Sequence, residues 1–182
     1  MRALVFLAEG FEEIEALTTV DFLRRMKIKV DMVSIDENLE VKGAHDIRVI
    51  ADLTIDQIDE IDSLDAVIIP GGLPGAFNLR DDKRVIEIVK SVFEKGKLVS
   101  AICAGPSVLQ EAKILKGRRA TCYPGFESNI EDAEYTNSDV EIDSNIITGK
   151  GPYLAADFAI EIVRYLLGNE KASELEKDVL KS

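Results

Sequence analysis

The 182-residue chain has one histidine, His45, two cysteines, Cys103 and Cys122, and no tryptophan. Its 22 basic side chains are outnumbered by 34 acidic ones, a formal net charge of -12. Each shortage excludes something. One imidazole and two thiols fall short of the four Cys/His ligands of a typical structural zinc site, so no metal centre is expected. Two cysteines in a chain this long make no disulfide framework and point to a reducing compartment. A surface this acidic repels phosphate backbones, which argues against nucleic-acid partners. Long apolar runs are missing as well. The N-terminal run stops at Glu9, too short for a signal peptide, and none approaches the roughly 18 residues of a membrane span. The expectation is a soluble cytoplasmic protein with no membrane partner and no cofactor.

What remains is enough to build a core. Hydrophobic residues make up 46 % of the chain, and its length suits a single domain over 1–182. Strand-length apolar runs alternate with stretches of helical period. Residues 3–8, 29–35, 66–69, 98–102 and 145–148 read as strands, with 46–51 a further candidate. Helices are expected at 12–26, 83–95, 106–113, 152–167 and 170–180. In the first, Ile14, Leu17, Val20 and Leu23 recur at three-residue steps, and Glu12 and Glu13 sit near its positive end. The acidic, poorly periodic stretch 126–143 reads as loops with short elements. This alternation predicts an α/β fold, a mostly parallel sheet with helices on both faces. Ligands of such folds gather at the carboxyl ends of strands, which directs attention to 9–15, 71–75 and 103–106.

Cys103 ends the apolar run 98–102, and Ala104-Gly105-Pro106 follow it. Proline suits the first turn of a helix, so Cys103 is placed at a sharp turn beside free N–H groups, which favour a thiolate. Ala104 and Gly105 leave room for a substrate. Two readings are open: a nucleophile, or a small hydrophobe closing a strand. His45 lies in a turn with nothing to bring it to the thiol, and it reads as exposed. Acid–base candidates are then carboxylates and tyrosines. Glu15 shares a helical line with Thr19, Phe22 and Met26. Turned inward it would be desolvated and could share a proton with the thiol; turned outward it is an ordinary first-turn glutamate. Pro70-Gly71-Gly72 ends another apolar strand, and its glycines allow N–H groups to face developing charge. Taken alone, such a turn is common.

Together, Gly10-Phe11-Glu12-Glu13-Ile14-Glu15, Pro70-Gly71-Gly72 and Ala101-Ile102-Cys103-Ala104-Gly105-Pro106 resemble the DJ-1/ThiJ/PfpI superfamily, specifically its DJ-1 branch. Arg24-Arg25, Thr121-Cys122-Tyr123-Pro124 and Gly149-Lys150-Gly151-Pro152 add to the likeness, which covers nearly the whole chain. The resemblance implies a flavodoxin-like three-layer sandwich and, usually, a homodimer. It implies that Cys103 is an oxidisable nucleophile, that Glu15 is its proton partner, and that the turn Gly71-Gly72 and Ala104 bind the oxyanion. Activities described for the family are glutathione-independent glyoxalase and deglycase chemistry on methylglyoxal-type aldehydes or glycated adducts; oxidative-stress sensing and redox-regulated chaperone roles use the same cysteine.

Two positions depart from family patterns. The protease-like branch has a histidine directly after the nucleophile, where this chain has Ala104, which argues against peptidase activity. The DJ-1 branch commonly has a histidine where this chain has Tyr123. A phenol donates hydrogen bonds but is a poor base at neutral pH, which places the glyoxalase-type activity in question. Cys122, beside Tyr123, reads either as a resolving thiol for Cys103 or as a buried free thiol.

Overall fold

The computed structural model describes residues 1–181. In chain order the regular elements begin with β1 (Arg2–Leu7), α1 (Glu13–Arg25), β2 (Lys29–Ser34), β3 (Glu40–Lys42), β4 (Arg48–Ile50) and β5 (Leu53–Thr54). Then come β6 (Ala66–Ile69), α2 (Gly75–Asp81), α3 (Lys83–Glu94), β7 (Leu98–Ile102) and α4 (Pro106–Glu111). The chain continues through β8 (Arg119–Ala120), β9 (Glu134–Tyr135), β10 (Val140–Asp143), β11 (Ile146–Gly149), α5 (Ala155–Leu167) and α6 (Asn169–Asp178).

Among the described residues, seven strands form one sheet in the order β10-β11-β7-β6-β1-β2-β5. Every pairing in it is parallel except β10 with β11. β1 shows why its sequence is almost wholly apolar. It is flanked on both edges and covered on both faces, so its side chains alternate between two cores. Val5 and Leu7 enter one core with Val20 and Leu23 of α1 and Phe158 and Ile162 of α5. Leu4 and Phe6 enter the other with Leu79 of α2, Val85 and Val89 of α3 and Val108 of α4. Full burial of each such side chain contributes about 1.5–3 kcal/mol. The result is the parallel α/β sheet with helices on both faces expected from the alternation, in the flavodoxin-like sandwich that the resemblance implies. Among the described residues, no helix is long and apolar enough to cross a membrane.

Three local differences from the sequence reading have physical causes. The strand expected at 46–51 forms as β4, but it pairs antiparallel with β3 in a separate ribbon. Ile50 on it is exposed, as an unburied ribbon permits. The helix expected at 152–167 is divided: Pro152–Leu154 makes one tight 3-10 turn, and α5 starts only at Ala155. The seven-residue α2 is too short for its periodicity to stand out. The stretch 126–143 is loop with short elements, as read, and it ends in β10, which turns back through Ser144 to pair with β11.

Candidate active site

β1, β6 and β7 are adjacent, so the segments leaving their carboxyl ends meet. From β7 comes Cys103, whose φ of +63° is left-handed and therefore strained by roughly 1–3 kcal/mol for a residue with a Cβ. Neighbouring strands hold it there. Its N–H donates to the Gly149 carbonyl at 2.9 Å, and its own carbonyl accepts from the Tyr123 N–H at 2.9 Å. The bend turns the sulfur off the strand line toward the segment leaving β6.

That segment begins with Gly71, which has no room for a side chain. A Cβ there would lie 2.7 Å from the Cys103 Cβ and 2.8 Å from Glu15 Oε2. The third segment, after β1, leads into α1 and delivers Glu15, which is 1 % exposed. Glu15 Oε2 accepts the Gly71 N–H at 2.7 Å. Its Oε1 is buried without an N–H or O–H donor among the described residues. The Cys103 thiol and the same carboxyl face each other across Gly71, and the N–H groups of Ala104 and Gly72 face the sulfur.

Burial pushes the Glu15 carboxyl up to about 7, with a smaller push from the Glu12 charge, against the Gly71 N–H and the thiol. Burial also pushes the Cys103 thiol up, and the Glu15 charge adds to it. The Ala104 and Gly72 N–H groups pull the other way. The expectation that a helix start alone would favour the thiolate is therefore corrected. The sulfur is buried against a carboxylate, and the two groups compete for a proton.

Tyr123 is half-exposed beside this turn, its ring edge-on to Phe126 at 6.2 Å and packed over Gly151. With Pro124, Pro152, Tyr153 and Leu154 it lines an open, mainly apolar recess of about 340 Å³. A sequence model of the DJ-1/PfpI family matches residues 1–165. The chain belongs to that family.

Within it, the similarity is to DJ-1 proteins. Protein DJ-1 homolog B of Arabidopsis thaliana is 34 % identical over 180 residues, covering 98 % of this chain and 41 % of that protein. The chain thus spans less than half the length of that relative. A protein of Pyrococcus abyssi named as a deglycase is 31 % identical, covering 84 % of this chain and 91 % of its own. The solved structure of oxidized Toxoplasma gondii DJ-1 superposes with a TM-score of 0.94 at 33 % identity, covering 98 % and 97 % of the two chains.

Of the residues singled out in this DJ-1-type sequence, Cys103, Glu15, Gly71, Gly72 and Ala104 come together around one sulfur. Cys122 is 1 % exposed and packs in the core on the α3–α4 side, whereas Cys103 packs against the other core. Burial, then the Glu127 charge, pushes the Cys122 thiol up to about 11. Those features fit the buried free thiol. His45 lies in the turn between β3 and β4 and is exposed, as read, but the sequence reading missed its partners. Its Nδ1 lies 2.9 Å from Glu13 and 3.5 Å from Glu12. No sequence spacing signals that pairing, because the ribbon folds back onto α1 from 32 residues away. The Glu13 and Glu12 interactions raise the imidazole above its ordinary value.

Proposed function

We propose that this protein is a cysteine-dependent, glyoxalase- or deglycase-like enzyme of the cytoplasm, acting on methylglyoxal-type aldehydes or their glycated adducts. One observation carries the reading: a strained, half-buried thiol faces a proton-poised carboxyl and two backbone N–H groups. The name of the Pyrococcus relative supports the same class.

The Cys103 sulfur attacks the aldehyde carbon, forming the C–S bond of a hemithioacetal, while Glu15 takes the thiol proton. The Gly72 and Ala104 N–H groups hold the developing oxyanion. With methylglyoxal, Glu15 returns the thiol proton to that oxygen and then, as the carboxylate, moves the proton of the former aldehyde carbon to its neighbour, while the hydroxyl proton passes to the neighbouring oxygen, giving a lactoyl thioester. Water hydrolyses that thioester to lactate and restores the thiol. Reduced protein incubated with methylglyoxal should therefore form lactate, and Cys103→Ala should abolish it. Turnover that survives Cys103→Ala would overturn the proposal.

A second reading, a redox sensor or redox-regulated chaperone, is favoured by Tyr123 standing where the branch commonly has a histidine. In it, peroxide oxidises Cys103 to sulfenic acid with release of water, and a second peroxide gives sulfinic acid. Intact mass after mild peroxide reads these additions, and an unmodified Cys103 would exclude that role. We further propose a homodimer, as the family resemblance implies; sedimentation should give twice the 20.1 kDa chain mass.

A further inference from the structure

The candidate site uses Glu15 and leaves Glu12 and Glu13 without a role. Glu13 opens α1, is 3 % exposed, and is wrapped by the turn between β3 and β4. Its Oε1 accepts the N–H of His45 at 2.8 Å and of Ile47 at 3.4 Å. A Cβ on Gly43 would meet that oxygen at 2.2 Å, so the backbone closes tightly around it. These contacts fix the carboxylate and leave Oε2 aimed at His45 Nδ1, 2.9 Å away. Glu12 is 8 % exposed, and its side chain keeps 11 % of its surface open to solvent at the mouth of the same turn. Its Oε2 points at the same His45 nitrogen from 3.5 Å, and one Nδ1 proton can serve only one of the two acids.

Three donor atoms, one from each residue, all lie within 4.8 Å of one another. Around a first-row divalent ion with bonds of about 2.0–2.2 Å, adjacent ligands stand roughly 2.9–3.5 Å apart. Both His45 separations fall in that range. We propose that Glu12, Glu13 and His45 form a binding site for a divalent transition ion of the Zn²⁺ type, with its remaining positions open to water. One imidazole nitrogen and two carboxylate oxygens suit such an ion better than calcium or magnesium, which favour oxygen ligands alone. The exposed imidazole gives the ion a path from solvent. The ion replaces the proton between His45 Nδ1 and Glu13 Oε2, and that proton leaves to solvent. The positive end of α1 opposes a cation and weakens its binding by about two- to fivefold.

His45 is the only histidine in the chain, so its imidazole proton resonances report on the site without assignment ambiguity. Tag-free, reduced protein is titrated with zinc chloride and, separately, with magnesium chloride. One equivalent of Zn²⁺ should shift the His45 resonances, and Mg²⁺ should not. Competition with a chromophoric chelator should show roughly tenfold or greater weakening in His45→Ala and in Glu12→Gln, both of which keep the Glu13 backbone contacts. Cys103→Ala should bind Zn²⁺ as tightly as the unmodified chain. Unmoved imidazole resonances would overturn the proposal, as would Zn²⁺ binding that survives His45→Ala but is lost in Cys103→Ala.

Discussion

Glu15 bears on stability as much as on chemistry, and replacing it with glutamine separates the two. An ordinary glutamate titrates near 4.5, whereas Glu15 in the fold titrates near about 7. Between those values the folded chain holds a proton that the unfolded chain has already lost, so stability falls as pH rises through the window. At 1.36 kcal/mol per pKa unit, keeping Glu15 ionised in the fold costs about 3 kcal/mol above pH 7. The direction is opposite to that of a salt-bridged carboxylate, because burial dominates. Glutamine keeps the size and still accepts the Gly71 N–H, but it carries no charge. Glu15→Gln is therefore expected to match the unmodified chain near pH 4.5 and to exceed it by about 3 kcal/mol at pH 8, or roughly 6–12 °C in Tm for a chain of this size. Urea unfolding of both proteins under reducing conditions at pH 4.5, 6 and 8 reads the difference, in which the other acids cancel. Aldehyde turnover by the same variant should be lost. A stability difference that does not change with pH, or a variant weaker at pH 8, would refute the view that Glu15 is a charge held at a cost in the fold.

The remaining expectations follow from the same geometry. If Glu15 is the base, the rate of lactate formation should rise through a limb near about pH 7 as the carboxyl loses its proton; a flat profile across pH 6–8 would exclude it. Gly72→Ala should destabilise by about 3 kcal/mol or more in urea unfolding, because φ is +85° and its Cβ would lie 2.3 Å from the Glu12 nitrogen. Gly96→Ala, at φ +70° with nothing within 4 Å, should lose only about 1–2 kcal/mol, the conformational part of that penalty. Tyr123→His should raise aldehyde turnover at pH 7 about tenfold or more by restoring a base at the position where the branch has one; unchanged turnover would show that this position takes no part in proton transfer.

The layered fold was legible because the forces behind it are local and periodic. β1 could be read from six residues, since a strand buried on both faces admits almost nothing polar after Arg2. The thiol turn was legible for the same reason: strand, cysteine, two small residues and proline admit few backbone paths. The ribbon was not legible. β3 and β4 are three residues each and bury little, so their pairing carries no apolar signature. What holds the turn between them is the buried Glu13 carboxylate together with backbone hydrogen bonds to Gly10 and Phe11, all far away in sequence. The ionisation of the thiol escaped for a related reason. Position at a helix start can be read from the chain, but desolvation depends on which atoms close over the sulfur, and here they include another acid. The proton competition between Cys103 and Glu15 and the pairing of His45 with Glu12 and Glu13 thus share one origin. The acids after β1 carry more negative charge into the interior than local hydrogen bonds satisfy. Glu15 answers by holding a proton and Glu13 by gathering backbone N–H groups, while Glu12 faces solvent and a shared imidazole, and it is between that imidazole and the two acids that an added cation would find its place.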